Sequence, residues 1–137
     1  MNFGTALIGQ TENALNAILD RRLEGTGLTE RHWVTLAITA SGALTTGDEL
    51  AQAVAGALKV TERNARTLIE QMSDNDLIAV GEDEVVLTEA GRALTTRLRS
   101  ELTEVTTRLW GDLPQEELDS AGRVLNTVLG RANAELA

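Results

Sequence analysis

TTGDELAQAVAGALKVTERNARTLIEQMSDNDLIAVGEDEVVLTEAG, residues Thr45–Gly91, is the stretch on which the reading of the chain turns. It opens with Thr46-Gly47-Asp48-Glu49, a capping box with Thr46 at the cap and Glu49 three residues on. Leu50, Ala53, Val54 and Ala57 then recur at helical spacing as a buried stripe, and the small residues Ala51, Ala53, Ala55, Gly56 and Ala57 allow a neighbour to approach closely. Gly56-Ala57-Leu58-Lys59-Val60 reads as the turn. Thr61 caps a second helix that runs to about Asn75, with Ala65, Leu68, Ile69 and Met72 facing inward. Asn75 tolerates a left-handed conformation and closes it. Leu77-Ile78-Ala79-Val80 and Glu84-Val85-Val86-Leu87 are short strand-like runs around Gly81-Glu82-Asp83, and Thr88-Glu89 begins another helix. Helix, tight turn, helix, two-stranded hairpin is the order of a winged helix-turn-helix.

Outward from this stretch the chain is helical. Apolar residues from Phe3 to Leu23 fall at Phe3, Leu7, Ala14, Leu15, Ile18 and Leu19, and Gly25 and Gly27 end that helix. Arg21 and Arg22 suit its C-terminal dipole. Thr29 caps a shorter helix with Trp33, Leu36, Ala37 and Ala40 on one face, stopped at Ser41-Gly42. After the hairpin, Leu94, Leu98, Leu102, Val105 and Leu109 follow at near-heptad spacing up to Trp110 and Gly111. Pro114 opens a last helix, with Glu116 and Glu117 at its positive end and a stripe of Leu118, Ala121, Leu125, Val128, Leu129 and Leu136. The terminal helices are too long and too apolar to pack one small motif. Two copies exchanging them would bury their stripes in a two-fold homodimer. The expected organisation is one compact domain, mainly α with a small two-stranded β wing. Residues 1–27 form an N-terminal dimerisation helix, 28–88 the winged helix-turn-helix, and 89–137 the C-terminal dimerisation helices.

Composition narrows the function. The 137 residues suffice for a real core, and a hydrophobic content of 42% marks a globular chain. There is no Cys and one His, His32, so disulfides and thiolate chemistry are excluded and no transition-metal set is present. No Ser/His/Asp arrangement, phosphate loop or metal-hydrolase motif occurs, so no enzyme and no cofactor are expected. Glu82-Asp83-Glu84 reads as a solvated hairpin tip. With no signal-like start and no long apolar run, a cytoplasmic protein is expected.

Arg63, Asn64, Arg66 and Thr67 sit near the start of the second helix of the motif, on outward or flanking positions. In a helix-turn-helix that part enters the major groove, where Arg suits guanine and Asn suits adenine. Against this stands a net charge of −9, from 12 basic and 21 acidic residues, together with a wing tip that carries no cation. Acidity opposes steering toward DNA. The alternative is therefore a winged-helix protein-interaction module with little or no DNA binding.

Four local words, in order along nearly the whole chain, resemble the MarR family of bacterial winged-helix regulators. Leu28-Thr29-Glu30-Arg31-His32-Trp33 is similar to that family's LTxxQW opening, with His32 where Gln is common. Leu68-Ile69-Glu70-Gln71-Met72 followed by Leu77-Ile78 is similar to its recognition-helix ending. Val86-Leu87-Thr88-Glu89-Ala90-Gly91-Arg92 resembles its LTxxGR junction, and Leu113-Pro114-Gln115-Glu116-Glu117-Leu118 the opening of its last helix. The resemblance implies a dimeric transcriptional regulator of palindromic promoter DNA, often released by a small phenolic or aromatic carboxylate. Carried over by position, Thr61, Arg63, Asn64, Arg66 and Thr67 would read DNA and Lys59 would contact phosphate. His32 and Trp33 would border a ligand crevice, or else simply pack the helix interface. Two positions depart from the pattern. The family's wing holds an Asp-x-Arg pair where this chain has only Gly81-Glu82-Asp83-Glu84, and Asp76 stands where Gly is frequent. DNA binding should then rest on the recognition helix and be weak or depend steeply on salt.

Overall fold

In the computed structural model, residues 1–43 and 46–137 are described; Thr45, where the deciding stretch opens, and Leu44 lie outside the described residues. Six helices and one hairpin follow in the expected order: α1 (Thr5–Leu23), α2 (Glu30–Ala40), α3 (Gly47–Leu58), α4 (Glu62–Asp74), β1 (Ile78–Val80), β2 (Val85–Leu87), α5 (Glu89–Trp110) and α6 (Gln115–Leu136). The chain divides into two compact units, Met1–Leu102 and Thr103–Ala137.

The first unit holds the core. Leu36 from α2, Leu50 and Val54 from α3, Met72 from α4, Ile78 from β1 and Leu98 from α5 are almost wholly removed from water. Each such side chain contributes roughly 1.5–3 kcal/mol relative to an exposed one. Three buried threonines, Thr35, Thr39 and Thr95, donate their hydroxyls to the carbonyl four residues back, at 2.9, 2.7 and 2.7 Å. Among the described residues no buried side-chain polar atom lacks a partner.

The helix-turn-helix closes differently from the sequence expectation at three points. Helix α3 continues through Gly56 to Leu58, so the turn contracts to Lys59 and Val60 before the Thr61 cap. Its buried face is Leu50, Ala51 and Val54, while Ala53 is half-buried and Ala57 is exposed. A slight rotation toward Ala51 brings the small residue against the core, and propensity alone cannot choose between neighbouring alanines. At the end of α4, Asp76 takes the left-handed conformation (φ 58°), and Asn75 stays right of it at φ −85°. Leu77 N then donates to Met72 O at 2.9 Å and Asp76 N to Ser73 O at 3.0 Å, the paired bonds of a Schellman motif. Asp is one of the few side chains that adopt this conformation at modest cost.

The hairpin pairs Ile78 with Leu87, Ala79 with Val86 and Val80 with Val85, antiparallel. Ile78, Val85 and Leu87 face the core, and Val80 and Val86 are exposed. Gly81 N donates to Glu84 O at 2.8 Å across the acidic tip. At the wing's base, Thr88 Oγ1 donates to Asp76 O at 2.6 Å and accepts from Gly91 N at 3.0 Å, which caps α5. Arg92 donates to Leu87 O at 3.0 Å. Gly91 is buried, and a Cβ there would collide with the Leu77 carbonyl. The word Leu87-Thr88-Glu89-Ala90-Gly91-Arg92 therefore has a local physical cause: core anchor, cap, close approach and a carbonyl clasp.

In the second unit, α6 has no buried residue. Leu125 is 47% exposed, Leu129 55% and Leu136 72%, so the expected apolar stripe lies open on a single chain. Pro114 directly precedes α6 and occupies its cap position.

Gly91→Ala should destabilise the fold by about 3 kcal/mol, the upper range for forcing atoms into a packed site. Chemical denaturation of variant and parent measures this, and Ala90→Gly, at an exposed neighbour on the same helix, serves as the comparison.

Candidate nucleic-acid interface

Helix α4 presents the candidate residues because its other face is committed. Ala65, Leu68, Ile69 and Met72 are buried at i, i+3, i+4 and i+7, against α2, α3 and β1. Thr61, Glu62, Arg63, Asn64, Arg66, Thr67 and Glu70 are consequently all exposed. The start of the helix is fixed by Thr61, whose side-chain oxygen accepts from Asn64 N at 3.1 Å.

The six residues expected to contact DNA are brought onto one turn-and-helix surface, but their polar groups are not equally available. Lys59 adopts φ 57°, and its Nζ donates to Gly56 O at 2.7 Å, back onto the end of α3. The left-handed backbone costs a non-glycine residue roughly 1–2 kcal/mol, which the charge-assisted bond partly offsets. Thr61 is occupied as a cap. Thr67 Oγ1 donates to Arg63 O at 3.1 Å. Arg66 Nη2 lies 2.9 Å from an Asp48 carboxylate oxygen on α3 and 3.8 Å from Glu62 on its own helix. Only Arg63 and Asn64, among these six, carry side-chain polar groups with no partner among the described residues. They are the two residue types suited to bidentate reading of guanine and adenine.

The surrounding field is acidic. Asp48, Glu62, Glu70, Glu82, Asp83 and Glu84 are exposed on α3, α4 and the wing, and the segment from Ile78 to Leu87 carries no cation. Asp48, Arg66, Glu70, Val80 and Glu82 line a cleft of about 360 Å³ between the motif and the wing.

His32 has a structural post that the sequence only half revealed. Its Nδ1 accepts from Thr29 N at 3.0 Å, completing a capping box at the start of α2, and its Nε2 lies 2.7 Å from Gln71 Oε1 on α4. With Nδ1 accepting, Nε2 carries the proton and donates. Trp33 is half-buried and packs against the core. A separate cleft of about 590 Å³ is lined by Thr39, Val86, Arg92, Thr95 and Arg99, without His32 or Trp33. Arg99 there also donates to Ala37 O at 3.3 Å. Neither this cleft nor the Arg66–Asp48 pair was visible in the sequence, since both join residues far apart in the chain. Among the described residues no cluster of His, Cys, Asp and Glu is placed to hold a metal ion, and no helix is long and apolar enough to cross a membrane.

This arrangement defines a winged helix-turn-helix whose second helix, α4, has one exposed polar face. No family sequence model and no curated relative matches the chain. Solved structures do. The MepR–DNA complex of S. aureus superposes with a TM-score of 0.80 at 21% identity, covering 95% of this chain and 96% of that one. CouR from Rhodococcus jostii RHA1 bound to p-coumaroyl-CoA gives 0.76 at 16%, covering 89% and 88%. A MarR family protein of Mycobacterium tuberculosis in complex with DNA gives 0.68 at 20%, covering 93% and 98%. The fold is that of the MarR-family transcriptional regulators.

His32→Ala should cost about 1 kcal/mol through loss of the α2 cap. His32→Gln should keep most of that stability, because Gln at this position also completes a capping box. Urea denaturation of both variants distinguishes cap loss from a general effect of removing the ring.

Proposed function

We propose that the protein is a DNA-binding transcriptional regulator, not an enzyme, acting as a homodimer in the cytoplasm on a palindromic operator. The observation that carries this reading is the pair Arg63 and Asn64, exposed and with no side-chain partner among the described residues, at the start of a helix whose other face is fixed by the core. Structural likeness to two DNA complexes supports it. In the proposed division of the chain, residues 1–27 and 89–137 pair the copies and residues 28–88 read DNA. The open stripe of α6, with Leu125, Val128 and Leu129, supplies the apolar surface a second copy would cover. The two recognition helices would then meet half-sites about one DNA turn apart.

A small aromatic or phenolic carboxylate is the effector class we propose, supported by the salicylic acid complex of a MarR family protein of Mycobacterium tuberculosis. His32 and Trp33 stay candidate border residues. The tie of His32 to Gln71 of α4 gives them a route to the recognition helix.

The second reading, a protein-interaction module, is favoured by one observation: a wing of Glu82, Asp83 and Glu84 without a cation. A wing of that charge repels phosphate. The two readings diverge in the binding assay below.

Arg63→Ala and Asn64→Ala should each weaken binding to DNA flanking the protein's own gene by about 5- to 150-fold, with the fold intact, as loss of about 1–3 kcal/mol per bidentate base contact requires. Mobility-shift titration at two salt concentrations measures this. Unchanged affinity in both variants would remove α4 as the reading helix, and no binding by the parent would favour the protein-interaction module. Leu125→Asp should shift the sedimentation of the parent from dimer to monomer, and a parent that sediments as a monomer would end the dimeric reading.

A further inference from the structure

The sequence assigns Arg66 to base reading alongside Arg63 and Asn64. The geometry points to a different role. We infer that Arg66 is a phosphate-contacting residue, and that Asp48 holds its guanidinium in the DNA-free protein as an internal stand-in for a phosphate. This inference rests on the DNA-binding reading above and concerns how that surface is regulated.

Three observations support it. Arg66 Nη2 is 2.9 Å from the Asp48 carboxylate, with the Glu62 carboxylate as a longer-range ionic neighbour at 3.8 Å. Both partners are anionic oxygen acceptors, the chemistry a phosphate offers. The Asp48 side chain lies in the first turn of α3, the first helix of the motif. In helix-turn-helix docking that helix crosses the DNA backbone, while base edges meet the start of the second. Asp48 therefore marks the backbone side of the surface, and the guanidinium already points there. Finally, the pair is exposed, with Arg66 at 48% and Asp48 at 77% of side-chain surface in water. An ion pair so exposed is weak and exchangeable, so a phosphate can displace the carboxylate.

The consequence is a self-screened interface. Three cations, Lys59, Arg63 and Arg66, serve the reading surface. Arg66 must leave an internal carboxylate before it can neutralise a phosphate. The carboxylate it leaves also stays near the DNA as a like charge. Binding without good base contacts is then weaker than three cations alone would give, because phosphate neutralisation supplies nearly all of non-specific affinity. The contacts of Arg63 and Asn64 lie outside this exchange.

The test is a double-mutant cycle on DNA binding with Asp48→Asn, Arg66→Ala and the double variant, read by fluorescence anisotropy across a salt series. Asp48→Asn should tighten binding about two- to fivefold, to cognate and scrambled duplexes alike, and steepen the salt slope by about one. In the Arg66→Ala background the same change should lose most of that gain. Arg66→Ala should weaken binding uniformly across single-base operator variants, as a phosphate contact does. Thermal melts of all variants should match the parent closely, since both side chains are exposed. Weaker binding on Asp48→Asn would mean the pair instead sets the angle between α3 and α4, and would overturn the inference. An equal gain with and without Arg66 would reduce it to a general charge effect. Loss confined to one base pair on Arg66→Ala would return that residue to base reading. A parent that binds no duplex would end the DNA-binding reading, and this inference with it; a parent that binds while Asp48→Asn changes nothing ends this inference alone.

Discussion

Burial of one face of α4 governs what this surface can do. Ala65, Leu68, Ile69 and Met72 are spaced to cover about a third of the helix, and all four are withdrawn from water. Rotating α4 to turn Arg63 or Asn64 inward would expose Leu68 and Met72 and bury an unpaired guanidinium or amide. Each of those changes costs several kcal/mol. The display of polar groups on the opposite face is thus a by-product of core packing. The Thr61 cap adds to it by starting the helix at a defined residue, which places Arg63 and Asn64 within the first turn.

The wing depends on a second close constraint. Its strands are three residues each, too short to hold themselves. They are held at the base, where Asp76 turns left-handed, Thr88 bridges Asp76 and Gly91, and Gly91 lets the helix come against the Leu77 carbonyl. The tip is closed by the backbone bond from Gly81 N to Glu84 O, and its charged side chains, Glu82, Asp83 and Glu84, are all acidic. A hairpin anchored this way keeps its position regardless of tip charge.

The electrostatics of the surface run against its architecture. A net charge of −9 and the exposed carboxylates of α3, α4 and the hairpin oppose phosphate, while the helix-turn-helix is the fold of the DNA complexes it resembles. The ion pair between Arg66 and Asp48 is where the two tendencies meet. It ties a cation of α4 to an acid of α3, the helix before it. Under the function proposed above, base contacts would supply a larger share of the affinity and phosphate a smaller one.

Much of this was legible in the sequence because its causes are local. Apolar spacing gave α4 its buried face residue for residue, Thr29, Thr46 and Thr61 marked helix starts, and the strand runs fell where β1 and β2 form. A capping threonine or a period of 3.6 acts within a few residues, so the chain alone carries it. The misread details were those decided by neighbours. Ala51 faces the core in place of Ala57, Lys59 takes the turn with Gly56 still helical, and Asp76 takes the left-handed step expected of Asn75. Other contacts around this surface join residues far apart in the chain: Asp48 to Arg66, His32 to Gln71, Thr88 to Asp76. Local pattern cannot rank the polar groups of one exposed helix face. Only the tertiary structure shows which of them are already held, because that depends on what the fold brings alongside.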